Sequence, residues 1–138
     1  MPEIVSTPLP TYRYADVETL DGAAKVGSHQ CVALVQLKAG APLTAAWRQG
    51  AAVKGLTLLQ KGTAIATFVN GQYPNRRHGN HAALYISQDA RGILVMDQWT
   101  SNTRKPKISR HLLRFLGKDR HGNYIDPANN GDAFSVIN

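Results

Sequence analysis

Apolar and polar positions follow two different rhythms along this chain. From Gln30 to Lys38 neither glycine nor proline interrupts the run, and Val32 and Val35, with Leu34 between them, suit a helix that turns one face to a core. Ser28 is placed as its N-cap, Gly40 suits the left-handed position after the last turn, and Pro42 bars continuation. A shorter helix is predicted over residues 44–49, capped by Thr44, stopped by Gly50 and anchored by Trp47. Farther on, the period falls to two and β-branched residues gather, so residues 63–69, 81–86, 93–99 and 133–137 read as strands. Residues 107–115 fit either a strand or a short helix. Asn70-Gly71 is a turn signal, residues 72–80 form a polar loop, and residues 14–26 leave room for one short helical turn. Residues 1–13, rich in proline, predict an extended arm on the surface. Helices first and an antiparallel meander after them make an α+β fold, and the length suits a single domain over residues 1–138.

Cys31 is the only cysteine of 138 residues, which excludes an internal disulfide and any cysteine cluster for a metal. None of the five histidines forms a close helical ligand pair, so neither a metal nor a cofactor is predicted. The cysteine gains interest from its place in the first helical turn. Unpaired N–H groups and the helix dipole favour an anion there, which brings a thiolate within reach near neutral pH. A buried, inert thiol is the plainer alternative, because a nucleophilic cysteine needs a base.

Sixteen basic residues against nine acidic ones give a net charge of +7 and point to an anionic partner. Nucleic acid and the carboxylate-bearing polymers of a bacterial wall both qualify, and charge alone does not choose. The two basic clusters, Arg76-Arg77-His78 and Arg104-Lys105-Pro106-Lys107, lack the interleaved aromatics of single-strand binders. The first residues carry no basic-then-apolar leader and no stretch reaches membrane-spanning length, so a chain made in the cytoplasm without a membrane span is expected.

His81 opens the second long strand, where a polar loop meets a buried edge, and is the candidate base. His29, next to the cysteine, points about 100° away on a helix and is less well placed. A third group should hold the far nitrogen of the His81 ring, and Asp97 and Gln98 compete for that role on the neighbouring strand. Parity decides: an odd-numbered loop between the strands puts Asp97 on the His81 face, an even-numbered one Gln98. A three-residue loop with Gly92 in the left-handed position favours Asp97.

Gln30-Cys31-Val32-Ala33-Leu34-Val35 resembles the Gln-Cys helix start of the CHAP-type, papain-like peptidoglycan amidases. Residues 61–68 look like the glycine-led strand that precedes the histidine in the CHAP and NlpC families. Gly79-Asn80-His81-Ala82-Ala83-Leu84-Tyr85-Ile86 is similar to their histidine strand, with Asn80 inserted after the glycine, and Val95-Met96-Asp97-Gln98-Trp99 to their acid strand. The ordered set spans residues 20–100. Acid and amide are adjacent here instead of spaced to share a face, so one of Asp97 and Gln98 falls outside the site. A small basic chain of this kind resembles the amidase effectors of type VI secretion systems.

The resemblance implies a papain-like fold with the catalytic cysteine at a helix start packed on an antiparallel sheet. It implies Cys31 as nucleophile, His81 as acid and base, and Asp97 as orienter, with Gln98 or Gln30 as orienter or oxyanion donor beside the Cys31 N–H. It also implies cleavage of wall stem peptides in the periplasm of a target bacterium, an immunity protein as partner, and no nucleic acid. Tyr73 and Trp99 are candidate cleft walls, and Arg76 and Arg77 candidate partners for stem-peptide carboxylates. Two other readings compete: a papain-like hydrolase of another amide, and a basic binding module without enzymatic activity.

Overall fold

A computed structural model describes residues 9–74 and 76–138. Its elements are one α-helix, α1 (Cys31–Ala39), and six strands: β1 (Gln49–Ala52), β2 (Ala64–Thr67), β3 (Ala82–Gln88), β4 (Gly92–Asp97), β5 (Ser109–Arg114) and β6 (Phe134–Ile137). Short 3-10 turns at Val17–Leu20, Thr44–Ala46, Pro127–Asn129 and Gly131–Ala133 join them. All strands form one antiparallel sheet in the order β1-β6-β2-β3-β4-β5. Strands β2 to β5 are the expected meander. The last strand returns to lie between β1 and β2, a pairing that no local signal announces.

The sheet carries a hydrophobic cluster on each face, as period-two alternation requires when both faces are covered. Ala64, Ala66, Ala82, Leu84, Ile86 and Met96 meet Leu34 and Val35 of α1 on one face. Ile65, Ala83, Tyr85, Ile93 and Val95 meet Val53, Leu113, Phe134 and Val136 on the other. Among the described residues no helix is long and apolar enough to cross a membrane.

Several local expectations need correction. The N-cap of α1 is Gln30, in an extended conformation, and Ser28 Oγ only accepts the Gln30 N–H at 3.3 Å. Leu34 and Val35 are the fully buried positions of α1, whereas Val32 is half-buried, because the helix meets the sheet near its middle. Gly40 does take the left-handed conformation, with φ 80°. The second helix shrinks to a turn over Thr44–Ala46, and Gln49 and Gly50 instead open β1, whose partner is the distant β6. Residues 107–115 resolve as strand β5. Residues 1–8 of the arm lie outside the described residues. Beyond them, the Tyr12 carbonyl accepts the Ala64 N–H and the Tyr14 N–H donates to the Gly62 carbonyl.

The β3–β4 hairpin reaches its register by an unexpected route. Gln88 pairs with Ile93 and Ser87 with Leu94, so four residues separate the innermost pair, and Gly92 is not in the left-handed region. Continued without change, that register would put Gln98 on the His81 face. Tyr85, however, pairs with Val95 and Leu84 with Met96, leaving Ile86 as an extra residue. This bulge slips the register by one and turns Asp97 to the histidine. Its trace is visible in the packing: Gln88 and Tyr85 lie on the same face, where the Gln88 amide donates to the Tyr85 hydroxyl at 3.3 Å.

Candidate active site

Cys31 is the first residue of α1 and half-buried at the helix N-terminus. Gln98, fully buried, fixes that terminus to the sheet. Its Oε1 accepts the Val26 N–H at 2.9 Å, and its Nε2 donates to the carbonyls of Val26 at 3.0 Å and Gln30 at 2.8 Å. The expectation of Gln98 as orienter of the histidine or as oxyanion donor is therefore corrected: both polar atoms of its amide are committed to the loop that carries the cysteine.

His81 immediately precedes β3. Its backbone N–H donates to Thr67 Oγ1 at 3.1 Å, its carbonyl accepts the Thr67 N–H at 3.0 Å, and its ring is nearly buried. Nε2 lies 2.8 Å from Asp97 Oδ2, which leaves Nδ1 as the ring nitrogen available to the neighbouring Cys31 sulfur. Adjacent residues thus serve opposite faces of the sheet: Asp97 holds the His81 ring, and Gln98 holds the loop beneath Cys31.

Electrostatics follow from this packing. Burial opposes a charge on His81, but the Asp97 carboxylate and the Cys31 sulfur overcome it and push the imidazole up to about 9 from an ordinary 6.5. Burial likewise opposes the Cys31 thiolate, yet the His81 hydrogen bond and charge, with the Ala82 N–H, hold the thiol below its ordinary value. Asp97 is pulled up by burial and down, more strongly in sum, by hydrogen bonds from His111 and His81, so its carboxyl lies well below the usual range. The site favours a thiolate–imidazolium pair on an ionised carboxylate. The Tyr73 hydroxyl lies 3.8 Å from Sγ, and burial and the sulfur's charge keep this phenol protonated.

The sequence pattern described as domesticated amidase effector 2 matches residues 8–137. This chain belongs to that family. It is 45% identical over 130 residues to the type VI secretion amidase effector 2 protein of Salmonella typhi, covering 91% of this chain and 98% of that one. It is 38% identical over 116 residues to a domesticated amidase effector 2 of Ixodes scapularis, covering 81% of this chain and 72% of the other. A solved type 6 secretion amidase effector 2 superimposes with a TM-score of 0.85 at 43% identity, covering 91% of this chain and 93% of its own. The fold is the papain-like α+β arrangement that the resemblance implied.

In this effector 2 family member, Cys31 and His81 lie in a cavity of about 470 Å³. Gln30, Tyr73, Arg76, Arg77, Asn80 and Trp99 line it as well, so the expected cleft walls and candidate arginines are brought together around the thiol. Tyr73 is held edge-on against Trp47 at 4.8 Å between ring centroids. His29 is exposed and does not line the cavity.

Two residues behind the site escaped the sequence reading. His111 on β5 brings Nδ1 to 2.7 Å from the same Asp97 Oδ2 that holds His81. Lys105, nearly buried, sets its ammonium 2.7 Å from Oδ1, a charge contact outside hydrogen-bonding alignment, and donates to the Ser109 carbonyl at 3.1 Å. It also lies over the Trp99 ring at 4.6 Å. Register explains His111: Asp97 pairs with Ser109 and Val95 with His111, so 97 and 111 are diagonal neighbours on one face. That signal was available only once residues 107–115 were known to be a strand. His81, Asp97 and His111 offer donor atoms within 4.8 Å of one another, a spacing that fits a metal. Both histidines already turn a ring nitrogen to Asp97 Oδ2, however, and the Lys105 ammonium takes the place beside Oδ1 that a cation would seek.

Proposed function

We propose that this protein is a type VI secretion effector that hydrolyses an amide bond in the stem peptides of bacterial peptidoglycan, with Cys31 as nucleophile, His81 as general acid and base, and Asp97 as orienting carboxylate. One observation carries the residue roles: the His81 ring, held through Nε2 by the buried Asp97 carboxylate, lines the same open cavity as the Cys31 sulfur, whose thiol its charge holds down. Family membership carries the amidase and its delivery.

The Cys31 thiolate attacks the carbonyl carbon. The oxygen that gains charge is met by the Cys31 backbone N–H at the helix start, with Gln30 beside it. His81, charged while paired with the thiolate, returns its proton to the departing amine and then takes one from the water that hydrolyses the thioester. Asp97 keeps the imidazole in one tautomer and supports its charge through both proton transfers. Arg76 and Arg77, in the same cavity, meet carboxylates of the acyl half. The enzyme acts in the periplasm of a target cell, and an immunity protein of the producer covers this cavity.

Digestion of purified sacculi, with products identified by mass, tests the reading. The wild type should release muropeptides of one bond type, and Cys31→Ala none. Intact sacculi after incubation with folded wild type would refute the amidase, and equal release by both proteins would refute the role of Cys31.

A further inference from the structure

Beyond His81 the cleft continues. A second cavity of about 360 Å³, lined by His81, Trp99, Arg104, His111, Ala128 and Asn129, opens on the other side of the His81–Trp99 wall, and those two rings belong to both cavities. No carboxylate lines it. Two acids touch its lining residues: Asp97, fully buried, is bound to His81, His111 and Lys105, and Asp126 accepts the Asn129 side-chain amide at 3.0 Å. Arg104 anchors its backbone N–H to Ser101 Oγ at 3.1 Å, while its guanidinium has no acidic partner among the described residues. His111 turns its Nδ1 edge to Asp97, so the part of the ring left exposed is the opposite edge, at the cavity.

We propose that this second cavity is a carboxylate subsite for the amine-bearing half of the cleaved peptide, with Arg104 as its ligand. The inference rests on the amidase reading and extends it. Cys31 keeps the acyl half in the first cavity. His81 gives its proton to the leaving amine, so the amine half departs past the imidazole, across the edge that the two cavities share. The His81 ring centroid lies 6.2 Å from that of Trp99 and 6.3 Å from that of His111. Extended chain advances about 3.3 Å per residue, and the two cavities adjoin at His81, so the carboxylate is assigned to the residue that supplies the amine or to the one after it. A guanidinium meets such a group with two parallel N–H bonds, which a lone surface cation cannot match. The wall of Trp99 and Ala128 shields one side of that contact from water.

The test uses full-length Cys31→Ala protein, which binds without turnover, and two synthetic stem peptides. One has every carboxylate free; the other is amidated only at the residue that supplies the scissile amine, as identified from the sacculus products, or at its successor. Isothermal titration should show the amidated peptide binding about tenfold more weakly, a loss in keeping with a charge-assisted contact at a partly exposed site. Adding Arg104→Met should weaken the free peptide by the same factor and erase the difference between the two, whereas Arg77→Met should leave the difference intact.

Equal binding of both peptides by the parent, no binding of either, or an undiminished difference in folded Arg104→Met protein each overturns the subsite. Failure of the wild type to digest sacculi, with Arg104-dependent binding retained, would remove the amidase and leave the subsite. Normal digestion with no response to Arg104→Met or amidation would do the reverse.

Discussion

Asp97→Asn isolates the charge on which the site depends. Asparagine keeps the size and one acceptor oxygen but removes the negative charge from a fully buried position that faces His81 at 2.8 Å, His111 at 2.7 Å and the Lys105 ammonium at 2.7 Å. With Asp97 ionised, His81 titrates at about 9. Without it, burial opposes the imidazolium and only the sulfur supports it, so the ring falls to its ordinary 6.5 or below. At about pH 8 the charged fraction then drops from roughly nine-tenths to a few hundredths, about thirtyfold. The Cys31 thiolate loses its counter-ion in the same proportion. Alkylation of Cys31 by iodoacetamide, followed by intact mass across pH, reads this directly. The wild type should react well below the ordinary thiol range, and Asp97→Asn should need a pH higher by about one to two units. Because the mutation also leaves Lys105 buried without its partner, a cost of about 3–5 kcal/mol, the profile should be repeated with Asp97→Asn/Lys105→Met, which removes both charges. Coincident pH profiles for wild type and a folded double variant would refute the claim that Asp97 sets the charge of His81.

Other consequences concern stability and the supporting shell. His81 is raised in the fold, so its contribution, up to about 3 kcal/mol, is complete below about pH 6.5 and fades as pH rises through about 9; Asp97 is lowered, so its contribution holds above about pH 4 and is lost on acidification. The difference in denaturant stability between wild type and Asp97→Asn should shrink across both windows, and a difference independent of pH would count against the pair. Gln98→Leu strands the Val26 N–H and the Val26 and Gln30 carbonyls, at about 1–3 kcal/mol for each group left dry; chemical denaturation should show a loss of several kcal/mol, and unchanged stability with unchanged turnover would contradict its role as a clip. Gly62→Ala places a methyl group on the Tyr14 carbonyl at a φ of 87°, and thermal unfolding should report a loss of about 2–5 kcal/mol, with a change under 1 kcal/mol ruling out the close approach. Tyr73→Phe removes only the hydroxyl 3.8 Å from Sγ, so alkylation should move to slightly higher pH with the fold intact, and a shift as large as that of Asp97→Asn would mean Tyr73 shares control of the thiol.

Local sequence determined the elements that carry the chemistry. An uninterrupted run after Gln30 and a glycine at position 40 delimit one helix, and that alone puts Cys31 at its N-terminus. Alternation marks β2, β3 and β4, and order along the chain makes them neighbours. What no local pattern decided was pairing between distant or ambiguous segments. The return of β6 between β1 and β2 depends on burying Phe134, Val136 and Ile137 against residues some seventy positions away. The choice of Asp97 over Gln98 turned on a bulge at Ile86, because strand parity inverts with each inserted residue: the three-residue loop expected at Gly92 is a four-residue one that alone would have turned Gln98 to the histidine, and the bulge restores Asp97. His111 and Lys105 came to the carboxylate only through the register of β5, a segment whose pattern suits helix and strand alike. The sequence by itself therefore determined which residues are able to do chemistry and on which elements they sit. The tertiary structure decided which of them share the carboxylate, because burial of both sheet faces fixes register and register selects the face.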